Sequence, residues 1–82
     1  MNKTQIDTTL RAILSDLFEI NAESIVADNN SDTISAWDSL GQLQLFMALE
    51  EAYKVKFQVS EISSQYTVGE LLNLICEKLD VK

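Results

Sequence analysis

Eighty-two residues, 46% of them hydrophobic and 23% charged, fit one domain and leave no room for a second, since compact domains need roughly 50 to 250 residues. A chain this short buries only about 60–65% of the surface it exposes when unfolded, so it builds one thin core without a deep, walled active site, which disfavours a self-sufficient enzyme. Thirteen Asp and Glu against six Lys and Arg set the net charge at -7, the wrong sign for a nucleic-acid backbone or an anionic membrane and the right sign for a basic protein surface. No basic residue lies between Arg11 and Lys54, while eight acids do: Asp16, Glu19, Glu23, Asp28, Asp32, Asp38, Glu50 and Glu51. The single Cys76 has no partner for an internal disulfide and is expected in the core. With no signal-peptide pattern and no apolar run near the roughly 20 residues of a membrane span, the expectation is a cytoplasmic chain.

In chain order, Ile6, Leu10, Ile13, Leu14, Leu17 and Phe18 recur at helical spacing and predict a first helix over about residues 5–19, with Thr4 and Asp7 as a capping pair. Residues 20–37 turn polar around the apolar anchors Ile20, Ile25, Val26 and Ile34, which predicts a long, pinned loop. Ordered loops beyond about 12–15 residues are uncommon and tend to position something functional. A second helix is predicted from Asp38 or Ser39 to Tyr53, with two apolar stripes. Leu45, Phe46, Leu49, Ala52 and Tyr53 fall on one side, and Leu40, Leu43 and Met47 on the other beside Glu50 and Glu51. One stripe suits the core; the second is covered by the rest of the chain or left as an acid-rimmed partner surface. Residues 60–66 provide for one or two helical turns, and Thr67-Val68-Gly69-Glu70 reads as a capping box opening a last helix through Leu71, Leu72, Leu74, Ile75 and Leu79. Three long helices and one short one make an all-α bundle.

The absence of histidine removes the usual base for a serine or cysteine nucleophile and the commonest transition-metal ligand, so neither a catalytic residue nor a metal ligand is assigned. Asp28, Asn30 and Asp32 imitate the start of a calcium-binding loop, but the sixth place holds Thr33 in place of glycine and the twelfth Ser39 in place of glutamate. What remains is Trp37-Asp38-Ser39-Leu40, where the acidic loop meets the second helix. A serine in a first helical turn would hold a hydroxyl-linked phosphate at the positive end of the helix dipole, and any chemistry at its hydroxyl must be driven by another protein.

The stretch Trp37-Asp38-Ser39-Leu40-Gly41-Gln42-Leu43-Gln44-Leu45, the run Met47-Ala48-Leu49-Glu50-Glu51 and the opening Thr67-Val68-Gly69-Glu70-Leu71-Leu72 together resemble the acyl carrier proteins, and the resemblance spans essentially the whole chain. It implies a four-helix bundle of acyl-carrier type, a single carrier domain over residues 1–82, monomeric, free-standing and not itself an enzyme. Such a carrier becomes active when a phosphopantetheinyl transferase moves 4'-phosphopantetheine from coenzyme A to the matching serine, here Ser39. Asp38 would support that metal-assisted reaction. The arm's thiol would carry acyl or aminoacyl groups as thioesters, and Leu40, Leu43, Met47, Glu50 and Glu51 would dock loading and processing enzymes with basic patches. Fatty-acid carriers usually have an acid just after Asp-Ser-Leu and a glutamate in the next turn, where this chain reads Gly41, Gln42 and Gln44; Lys54 and Lys56 fall near the helix end where those are acidic, and Gln58 stands where a proline is common. These departures, with Trp37, are more like carriers of specialised pathways of polyketide, aminoacyl or D-alanyl type. An acidic helical interaction module without a prosthetic group is the alternative reading of the same residues.

Overall fold

The computed structural model describes residues 1–81 and, among them, contains helices and no strand. The elements in order are α1 (Lys3–Phe18), a short 3-10 turn (Ala22–Ser24), α2 (Ser39–Tyr53), α3 (Val59–Ile62) and α4 (Val68–Lys78). The all-α fold with three long helices and one short one is as the sequence predicts.

The start of α1 differs from the prediction. Asn2, not Thr4, is the N-cap: its side chain accepts from the Gln5 N–H at 2.9 Å, and Gln5 Oε1 accepts from the Asn2 N–H at 2.9 Å. Asp7 instead pairs with Arg11 one turn on, at 3.1 Å. With neither proline nor glycine at their ends, α1 and α2 close on Glu19 and Lys54, both in the left-handed region with φ of 55° and 58°. The predicted capping box of α4 is present, Thr67 Oγ1 accepting from the Glu70 N–H and Glu70 Oε1 from the Thr67 N–H.

Ile6, Leu10, Leu14 and Phe18 of α1 pack against Leu45, Phe46, Leu49 and Tyr53 of α2 and against Val68, Leu71, Ile75 and Cys76 of α4. Burial of these side chains is the main force holding the bundle together. Tyr53 brings one polar atom inside and satisfies it, its hydroxyl donating to the Ile6 carbonyl at 2.8 Å. Burial first, and then the nearby Asp7 and Cys76, push its ionisation well above the ordinary tyrosine range. Phe46, Leu49, Tyr53 and Ile75 all belong to this core.

The loop between α1 and α2 is pinned at several points. Ile25, Ile34 and Trp37 are buried, the Arg11 guanidinium donates to the Ile25 carbonyl, and the first N–H groups of α4 donate across to the loop. Val68 gives its N–H to Asn29 O at 2.9 Å and Gly69 to Ala27 O at 3.0 Å, so the start of one helix is satisfied by loop carbonyls. Of the predicted anchors, Ile25 and Ile34 are buried and Ile20 half-buried, but Val26 is exposed because its segment turns outward around Asn29. Asn30, part of the calcium-like spacing, turns its Oδ1 to the N–H groups of Asp32 and Thr33, which closes a local turn.

Candidate functional site

All of these anchors deliver one junction, Trp37-Asp38-Ser39, to the start of α2. Trp37 is 2% exposed and stacks on Phe18 with ring centroids 5.9 Å apart, so the loop is fixed immediately before the helix begins. Asp38 is extended at φ -94° and ψ -168°, and its Oδ1 accepts from the Gly41 N–H at 2.8 Å, which makes it the N-cap of α2. Ser39 is therefore the first helical residue, and it is exposed. Its hydroxyl stands where a helix presents unpaired N–H groups and the positive end of its dipole.

The close approach of the loop explains Gly41. A Cβ there would lie 2.3 Å from the Ala36 carbonyl oxygen and 3.1 Å from Phe18 Cε1, so no side chain fits while the Ala36–Trp37 turn keeps its place. That close approach accounts for glycine at this position in this chain. The next residue, Gln42, accepts from the Trp37 indole N–H and donates to the carbonyls of Ile62 and Ser64, partners that carry no pattern in the sequence.

Beside Ser39 runs a cleft of about 470 Å³, lined by Trp37, Asp38, Gln42 and Leu43 on the α2 side and by Ile62 to Tyr66 on the other. Along α2 the second apolar stripe is open, with Leu40 63%, Leu43 47% and Met47 62% exposed. Glu51 is exposed at its edge. Glu50 is only half-buried, and one of its carboxylate oxygens is already used, Oε2 accepting from the Phe57 N–H at 2.9 Å. It ties down the chain leaving α2 as well as contributing charge. Seven of the eight acids between Arg11 and Lys54 are exposed, and Lys54 stands some 22 Å from Ser39 along the helix at about 1.5 Å per residue, so α2 itself carries no basic residue near its serine end.

The geometry defines a class before a family: a small helical protein that presents one exposed serine at a capped helix start, beside an open apolar stripe with acid around it. A family model described as a phosphopantetheine attachment site matches residues 8–75. The chain is similar to an acyl carrier protein of Thermosynechococcus vestitus, 31% identical over 80 residues that cover 96% of this chain and 98% of the relative. It is similar also to an acyl carrier protein of a Picosynechococcus species, 31% identical over 78 residues and covering 95% of each. The chain belongs to the acyl carrier protein family. It is accordingly a carrier and not a catalyst, its prosthetic group is 4'-phosphopantetheine, and its class of partner is the phosphopantetheinyl transferase and the enzymes that process acyl groups. Among the described residues no helix is long and apolar enough to cross a membrane.

Proposed function

We propose that Ser39 is the attachment point of the prosthetic arm, and that the chain works in the cytoplasm as a monomeric, free-standing carrier domain for acyl or aminoacyl groups. The observation that carries this reading is the exposed hydroxyl of Ser39 on the first residue of α2, fixed by the Asp38 cap and beside an open cleft. Residues around it fit a phosphodiester: the helix start favours negative charge, and the exposed hydroxyl leaves room for a linear arm. Phosphopantetheine, once attached, supplies a flexible thiol on which a thioester can travel. Transfer from coenzyme A forms one phosphorus–oxygen bond at Ser39 and breaks one in the pyrophosphate of the donor. Adenosine 3',5'-bisphosphate leaves, and the hydroxyl proton passes to a base of the transferase. Asp38 would contribute twice, by holding the helix start through the Gly41 N–H and by offering a carboxylate, on the residue before Ser39, to the metal-assisted reaction of the transferase.

Leu40, Leu43 and Met47 form the docking stripe, with Glu51 and the free part of Glu50 as its acidic rim. A surface of this kind draws basic partners by long-range attraction and releases them readily, which suits a carrier that visits several enzymes. The run Gly41, Gln42 and Gln44, which lacks the two acids usual in fatty-acid carriers, supports a specialised pathway over primary fatty-acid synthesis. Incubation with coenzyme A, magnesium and a broad-specificity transferase tests the reading. The wild-type chain is expected to gain one phosphopantetheine and Ser39→Ala none, and a Ser39→Ala chain that still loads would overturn the assignment. Met47→Asp is expected to load more slowly while keeping its helical signal.

A further inference from the structure

Gln42 lies one turn beyond Ser39, and its amide joins three segments of the chain. Oε1 accepts from the Trp37 indole N–H at 2.6 Å, while Nε2 donates to Ile62 O at 2.9 Å and to Ser64 O at 2.7 Å. Only one orientation of the amide satisfies this set, because an indole N–H only donates and carbonyls only accept. The two carbonyls belong to the end of α3 and the residues just beyond it, where a helix leaves acceptors without intrahelical partners. A side chain of α2 therefore supplies a cap that α3 does not make for itself.

That cap matters because α3 is a four-residue helix, too short to be stable alone, with Val59 80% exposed. It is held by Lys78 of α4, whose Nζ lies 2.8 Å from Glu61 Oε1, and by the hydroxyl of Tyr66, in the connection to α4, on Glu61 O. Gln42 is the polar tie from the α2 side, and it falls inside the cleft: Ser39, Gln42 and Leu43 form one wall, Ile62 to Tyr66 the other. The two bonds of Nε2 cross from wall to wall and fix the gap beside Ser39.

We infer that Gln42 is a positioning residue for the modification of Ser39. By tying Trp37 and the Ile62–Ser64 turn to the first turns of α2, it holds the α3 wall at a set distance from the serine hydroxyl. An enzyme closing over Ser39 then meets a preformed surface and does not have to order this turn at the cost of affinity. The inference rests on Ser39 being the attachment point, and it assigns Gln42 no contact with the reacting atoms.

The test is steady-state loading by a phosphopantetheinyl transferase, with coenzyme A saturating, of the wild type, Gln42→Glu, Gln42→Met and Tyr53→Phe. Gln42→Glu keeps the size of the side chain and the acceptor for Trp37 but turns an oxygen on the two carbonyls. Gln42→Met removes all three bonds and is also expected to shift the emission of Trp37, the one tryptophan. Tyr53→Phe deletes a buried bond in the core, away from the cleft, and serves as the control for lost stability alone. For both Gln42 variants KM for the carrier should rise about tenfold with kcat within about twofold, whereas Tyr53→Phe should melt earlier with KM unmoved. An unmoved KM in both Gln42 variants overturns the inference alone, and so does an equal rise in Tyr53→Phe. A wild-type chain that accepts nothing overturns the Ser39 assignment and this inference with it.

Discussion

The two faces of α2 carry similar side chains to opposite fates. Leu45, Phe46 and Leu49 are completely buried in the core, Phe46 against the rings of Phe57 and Tyr66, while Leu40, Leu43 and Met47 lie open on the other side of the same helix. Since intrinsic helix propensity is nearly the same for leucine and methionine, the difference is one of position around the axis. The inner face is bound by packing density and contributes stability; the outer face is free of that demand and is available for recognition. Both on one short helix suit the proposed roles, which ask that Ser39 and the proposed docking stripe be held rigidly while remaining accessible.

The largest effect that would sharpen this comparison comes from truncating one leucine on each face. Leu49→Ala should cost about 2–5 kcal/mol, a large share of the about 5–15 kcal/mol that holds a domain together, whereas Leu43→Ala should change the melting curve little and weaken partner binding. Chemical denaturation of both variants checks it, and comparable losses would erase the distinction between the faces.

Gly41→Ala is next. Alanine gains about 1 kcal/mol in helix propensity, but its Cβ would stand 2.3 Å from a backbone oxygen, and overpacking of that kind costs about 1–3 kcal/mol, so the net change should be destabilising. A more stable Gly41→Ala would mean that the Ala36–Trp37 turn yields easily and that the junction before Ser39 is less fixed than argued.

Asp38→Ala should lose about 1 kcal/mol with the cap, while Asp38→Asn retains an acceptor for the Gly41 N–H and should lose only a fraction of that. If Asp38→Asn nevertheless loads slowly, the deficit belongs to the charge beside Ser39 and not to the helix start. Equal melting losses in the two variants would contradict the cap.

The smallest effect concerns pH. The Gln58 N–H and then Lys78 hold the Glu61 carboxyl below its ordinary value of 4.5. A lowered carboxyl contributes stability that is present above that ordinary value and is lost as pH falls through the lowered one, because the unfolded chain takes up the proton first. The α3 segment should therefore loosen below about pH 4.5, and Glu61→Gln should flatten that part of the profile; amide exchange at Ser63 and Ser64 reads it directly.

Much of this was legible in the sequence for a physical reason. Helical periodicity and the Thr67–Glu70 capping box are local patterns, and so is the pairing of two stripes on α2, which is why α2 and α4 match their predicted ranges so closely. Local patterns also mislead: Asn2 takes the cap in place of Thr4, and Ala52, on the inner stripe by periodicity, is exposed although its neighbour Tyr53 is buried. The roles of Gly41 and Gln42 were not legible, since Gly41 meets the Ala36 carbonyl and two of the three partners of Gln42 are backbone carbonyls twenty and twenty-two residues away, and a carbonyl leaves no trace in residue identity. For Glu50 the sequence showed the charge but not the Phe57 N–H that engages it.

The central claim is that one hydroxyl among eight serines is singled out by its place at the start of α2. Peptide mapping by mass spectrometry, after loading with coenzyme A, magnesium and a transferase, tests it most directly. The account predicts one added phosphopantetheine, confined to the peptide containing Ser39. Addition at another serine, or none on a folded chain with a transferase shown to be active, would contradict it.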